Sequence, residues 1–114
     1  MKRQHTDYFA MCRDLCSRSQ HSRFHHGAVT VLRRGHRVLG KGSNRHNAHA
    51  EVSSIKAIPQ YQRHDNLVVY VCRVNSSGRF MNSRPCLNCL TFMKANHVTR
   101  VFFTDGLGFT KINL

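Results

Sequence analysis

Two short clusters hold residue types that bind and use a metal ion: His49-Ala50-Glu51 and, 37 positions after His49, Pro85-Cys86-Leu87-Asn88-Cys89. Imidazole and thiolate are ligands zinc prefers, and three protein ligands leave its fourth tetrahedral position open for water, the arrangement of a catalytic site. A CxxC at a helix start turns both sulfurs toward one point, where unpaired amides and the helix dipole favour thiolates. His49 reaches the same point if its own helix packs alongside. Glu51, the only glutamate in the chain, suits a general acid and base better than a fourth ligand. It would take a proton from metal-bound water and hand it to a substrate nitrogen. A CxxC alone also fits a redox pair or half of a structural zinc site, with Cys12 and Cys16 as further thiolates. That reading leaves His49 and Glu51 without a task.

These residues need elements to carry them. Residues 6–19 place Phe9, Cys12, Leu15 or Cys16, and Ser19 on one face, which predicts an amphipathic first helix whose cysteines are core thiols. Residues 27–32 and 36–42 are β-branched runs joined by Arg33, Arg34 and Gly35, a hairpin signal. From residue 48 to residue 58 the apolar period becomes helical, with Val52, Ile55 and Ile58 on one side and Pro59 at the end. The segment LVVYVCRV at 67–74 reads as a buried central strand, and 75–84 as a loop or short ribbon. Pro85 opens a third helix over 86–96, and RVFFT at 100–104 is a fourth strand. The turn DGLG and the alternating tail FTKINL follow. Four residues cannot make a parallel crossover, so a tail strand beside the fourth strand must run antiparallel at the sheet edge.

Length and charge bound the rest. A chain of 114 residues with 40% apolar content is one domain, 1–114, able to bury roughly 65% of its unfolded surface without disulfides or metal staples. No apolar run is long enough to span a bilayer and the basic start lacks an apolar core, which predicts a soluble protein that is not secreted, in cytoplasm or nucleus. An odd count of five cysteines fits a reducing compartment. Lys and Arg total 18 against 5 acids, a net charge of +13, and thirteen of the cations are Arg. Guanidinium forks onto phosphates and stacks on bases, so the expected polyanion is nucleic acid more than a lipid surface.

The order of elements, with HAE followed by PCxxC, resembles the zinc-dependent cytidine and deoxycytidylate deaminase superfamily over residues 27–104. The resemblance implies a three-layer α/β/α fold with a mixed five-stranded sheet, here with an antiparallel C-terminal edge strand. It implies Zn2+ held by His49, Cys86 and Cys89, with Glu51 shuttling protons as hydroxide attacks C4 of a cytosine or C6 of an adenine. Ala28 would leave room under the ring, Asn44 would contact sugar or base, the Ala50 amide would meet the pyrimidine carbonyl, and Ser83 would line the pocket. Arg79 and Arg84, in a loop longer than the usual link to PCxxC, would stand at the pocket rim, and Arg45 would add a nucleic-acid contact. The substrate so implied is a cytosine-bearing nucleotide or single-stranded nucleic acid, with Tyr61, Phe80 or Phe109 stacking on flanking bases. Relatives of this kind often form homo-oligomers. The alternative is a basic packaging or structural protein that keeps the fold and zinc site but only binds nucleic acid.

Overall fold

The run LVVYVCRV forms β3 (Leu67–Val74) at the centre of the sheet, buried through Cys72, as a continuous β-branched stretch requires. In the computed structural model, which describes residues 3–18, 25–33, 37–44, 49–59, 66–75, 77–105 and 107–114, β1 (His25–Leu32) and β5 (Val98–Thr104) flank it. Outside these lie β2 (Arg37–Ser43) and β6 (Phe109–Asn113), giving the order β2-β1-β3-β5-β6. β1 is antiparallel to β2 and β3, β3 and β5 are parallel, and β6 returns antiparallel along β5. The edge hairpin is thus the one its short turn demands. A sixth strand joins the expected five: β4 (Phe80–Met81) pairs with Val74 and Arg73 at the end of β3. It is the short ribbon that residues 75–84 allow.

Three helices among the described residues complete the layers. α1 (Arg3–Cys16) covers one face of the sheet, while α2 (Ala50–Lys56) and α3 (Leu87–Ala95) cover the other. Alternation along β3 decides which side chain goes where. Leu67, Val69 and Val71 join Ile55, Met93 and Val101 under α2 and α3, whereas Val68, Tyr70 and Cys72 meet Phe9, Cys12 and Leu15 of α1. The α1 cysteines are core thiols, as their apolar period predicts. Cys12 Sγ donates to the Tyr70 carbonyl at 3.2 Å and Cys16 Sγ lies 3.5 Å from Cys72 Sγ.

α1 begins earlier than residue 6 because the His5 ring packs on Tyr70 and Phe102, 5.5 and 4.5 Å between centroids, which holds an added turn against the sheet. Its periodic face ends at Cys16, so Ser19, expected on that face, lies outside the described residues. Two glycines of β2 decide how closely α2 can lie, and a Cβ on Gly40 would run into the Ser54 carbonyl oxygen. A Cβ on Gly42 of β2 would fall 2.5 Å from the Ser54 amide nitrogen and 2.7 Å from the Ala50 carbonyl oxygen. Backbone of α2 therefore rests directly on backbone of β2. Beside it, Thr30 Oγ1 and Ser54 Oγ share a buried hydrogen bond of 2.9 Å that fixes α2 over β1.

Candidate metal and catalytic centre

His49 and Cys86 occupy equivalent positions at two helix starts. Each is an N-cap with extended backbone, φ −74 and ψ 153 for His49, φ −71 and ψ 165 for Cys86. Their carbonyls accept the first helical bonds, from Ser53 N and Leu90 N, both at 3.0 Å. Pro85 therefore stands one residue before the cap of α3 and not in its first turn, where its ring keeps Arg84 extended. Because α2 and α3 pack side by side on one face of the sheet, the two starts converge. His49 Nδ1 lies 3.1 Å from Cys89 Sγ and 3.9 Å from Cys86 Sγ, and the three donor atoms fall within 4.8 Å of one another.

This donor set fits zinc. Corners of a tetrahedron with bonds of about 2.0–2.3 Å lie roughly 3.5 Å apart, which the 3.1 and 3.9 Å from His49 to the two sulfurs bracket, and two sulfurs and one imidazole are its preferred chemistry. His49 and Cys86 are exposed while Cys89 is buried, so the cluster opens to solvent on one side only. Among the described residues no other group of three such side chains comes as close. Cys12 and Cys16, on the α1 face, supply no ligand here.

Glu51 is in the first turn of α2 and 4% exposed. Burial pushes its carboxyl above the usual carboxylate range, against its own backbone amide, the His49 charge and a hydrogen bond with Cys89. Burial and then the adjacent Glu51 charge likewise push the Cys89 thiol up. Two acids that each resist ionisation, held against one another in a low-dielectric corner, are a site that a divalent cation would stabilise.

The remaining expected residues separate. Ala28 and Ala50 are fully buried in the cluster with Cys89, on the side of the sheet that carries the donors. Asn44 is 7% exposed, and its Oδ1 accepts the His26 amide at 2.9 Å. Alternation turns it, like Gly42, toward α2. Ser83, expected to line the pocket, is buried at 3% exposure. Its hydroxyl donates to Val71 O at 3.0 Å, accepts the Thr104 amide at 2.8 Å and lies 2.8 Å from Thr104 Oγ1. It ties the segment leading into Cys86 to the ends of β3 and β5. Arg84 is exposed, with its guanidinium 5.8 Å from the Phe103 ring centroid. Arg79 is exposed on the turn after β3, which Arg13 of α1 grips through the Gly78 carbonyl. Arg45 and Tyr61 lie outside the described residues.

Of the aromatics expected to flank a target base, the two described ones do not stand at the donors. Phe109 stacks on Phe9 at 3.9 Å, and Phe80 meets Phe109 edge-on at 5.8 Å, both on the α1 face. Conversely, Arg73, without a role expected from the motifs, pairs in register with His26 and Met81 and is turned by alternation to the α2 and α3 side. Its signal was a cation ending an otherwise apolar strand.

The family model for the cytidine and deoxycytidylate deaminase zinc-binding region matches residues 2–105. The chain belongs to this deaminase family. Solved structures with the same fold include the dCMP deaminase of cyanophage S-TIM5, at TM-score 0.71 and 17% identity, covering 92% of this chain and 86% of that one. The cytidine deaminase of Mycobacterium leprae follows at TM-score 0.65 and 18% identity, with 93% and 91% covered. That of Mycobacterium tuberculosis has TM-score 0.55 and 18% identity, with 89% and 87% covered. No curated protein sequence matches the chain. The three-layer fold and the zinc-binding motif of the deaminase family are therefore both present.

Proposed function

We infer that this deaminase-family chain hydrolyses the exocyclic amine of cytosine-type bases, in cytidine, deoxycytidylate or single-stranded nucleic acid, with zinc held by His49, Cys86 and Cys89. The observation that carries this is the His49, Cys86 and Cys89 donor set, open to solvent on one side, with the Glu51 carboxyl buried two residues after His49. Zinc, when bound, supplies a water acidified to near neutral pH as nucleophile. Glu51 takes and returns the proton at its carboxylate oxygen, and burial raises its proton affinity toward the range where one group can do both near neutrality. The proton goes to a substrate nitrogen, the C4–N bond breaks, ammonia leaves and a carbonyl remains. The Ala50 amide, in the first turn of α2, has no partner within the helix and suits the pyrimidine carbonyl. Ala28 and Ala50 keep the floor flat enough for a ring, and Asn44 faces the same side. Arg73 and Arg84 favour a substrate bearing phosphate over a bare nucleoside.

Ammonia release from cytidine, deoxycytidylate and single-stranded DNA and RNA tests this on zinc-loaded protein. Glu51→Ala is expected to lower turnover by about 10²–10⁴-fold with zinc content unchanged. Zinc-loaded protein that releases ammonia from none of them would overturn the reading and favour a packaging protein that only binds.

A further inference from the structure

Among the described residues, the face of the sheet opposite the His49, Cys86 and Cys89 cluster is only partly covered. α1 packs on β1 and β3, and its described side chains meet β5 and β6 through the His5 ring against Phe102 and Phe9 against Phe109. Register decides which side chains share the uncovered strip. Phe102 pairs with Lys111 and Arg100 with Asn113 across the β5–β6 ladder, and paired residues project to one face. Phe102 stacks on Tyr70, 4.9 Å between centroids at 8°, and Tyr70 belongs to the α1 side. The same face therefore carries Arg100, Phe102, Lys111 and Asn113. The intervening Val101 and Ile112 point the other way, into the cluster under α3.

The chemistry of this strip is specific. The Phe102 ring lies on Tyr70 with the His5 ring 4.5 Å away and tilted 35°, which leaves its side toward Lys111 of β6, the edge strand. Arg100 and Phe102 are half-buried and Lys111 is exposed. Neither strand carries an acid, in a chain of net charge +13. An aromatic ring between two cations on an open sheet face stacks bases while the cations hold the backbone, and it selects unpaired strands because only their bases can be splayed onto a ring. We propose that the β5–β6 face, through Arg100, Phe102 and Lys111, is a docking surface for single-stranded nucleic acid, separate from the zinc centre and on the reverse of the sheet. It acts whether or not turnover occurs.

Binding is measured on the full-length, zinc-loaded Glu51→Ala chain by fluorescence anisotropy with a labelled mixed-sequence 20-nucleotide strand. Arg100→Gln with Lys111→Gln is expected to weaken binding by roughly 10-fold or more at about 0.1 M salt and to reduce the slope of log K on log salt by about 1.4. The charge-matched pair Arg37→Gln with Lys41→Gln, on the opposite edge strand, is expected to change affinity by less than about 3-fold. Phe102→Leu is expected to lower single-strand affinity by about 5-fold or more and to leave binding of the matching duplex unchanged. Cross-linking of a 5-iodouracil strand, mapped by mass spectrometry, does not depend on any variant folding and should label peptides from 98–104 and 109–113. Equal losses from both charge pairs, no loss from the first, a duplex bound as tightly as the single strand, or cross-links confined to peptides around His49 and Cys86 would each overturn the proposal.

Discussion

Five cysteines of one chain fall into two chemical populations, and position in the fold sets the difference. Cys16 is held protonated by its hydrogen bond with Cys72 and then by burial, and Cys72 first by its bond with Cys12. Buried, uncharged thiols of this kind are inert. Cys86 is exposed beside His49. After chelation of the metal, an aromatic disulfide reagent should react first with Cys86 and more slowly with Cys89. Cys12, Cys16 and Cys72 should react only on denaturation, and added zinc should protect the first two. Fast reaction of all five in the native chain would contradict the packing. At this scale His49, Glu51, Cys86 and Cys89 were legible because their types and spacing are chemically unusual. The bonds of Ser83 to Val71 and Thr104 were not, because a hydroxyl before Pro85 does not show which strands it will meet.

At the scale of elements, the site depends on α2 lying close enough to β2 for His49 to meet the CxxC. The contact is between backbones, so neither partner can yield as a flexible side chain would. Gly42→Ala puts a Cβ 2.5 Å from the Ser54 nitrogen. It is expected to cost about 1–3 kcal/mol, read as a lower denaturant midpoint, and to weaken zinc binding by displacing His49 from Cys89. A variant that loses stability but keeps its zinc affinity would show that α2 is positioned by α3 instead. The periodicities of β3 and of the two ligand-bearing helices were readable, since burial forces period 2 or 3.6 onto the apolar residues. The extra N-terminal turn of α1 was not, because it rests on His5 meeting two rings, one 65 and one 97 positions along the chain.

For the whole molecule, charge is the governing quantity. The exposed Arg18–Asp14 pair at 3.7 Å is worth at most about 1 kcal/mol and does little against a net charge of +13. Self-repulsion should therefore destabilise the compact state at low ionic strength and be relieved by screening. Thermal unfolding is expected to move to higher temperature on going from about 0.02 to about 0.5 M sodium chloride. A midpoint that falls or stays constant would mean that the cations are paired within the fold. No described helix is long and apolar enough to cross a membrane.

Composition and local pattern by themselves determined the charge, the strand and helix order, the antiparallel tail and a candidate ligand set, because each follows from residue type, spacing or the reach of a short connection. Only the folded chain decided which face each side chain serves. Phe80 and Phe109, expected to stack on bases flanking the target base, went to the α1 layer, while Arg73 went to the layer that holds the donors. A strand's alternation fixes two faces but does not say which layer will cover either one, and that choice is made by pairings between residues far apart in the chain.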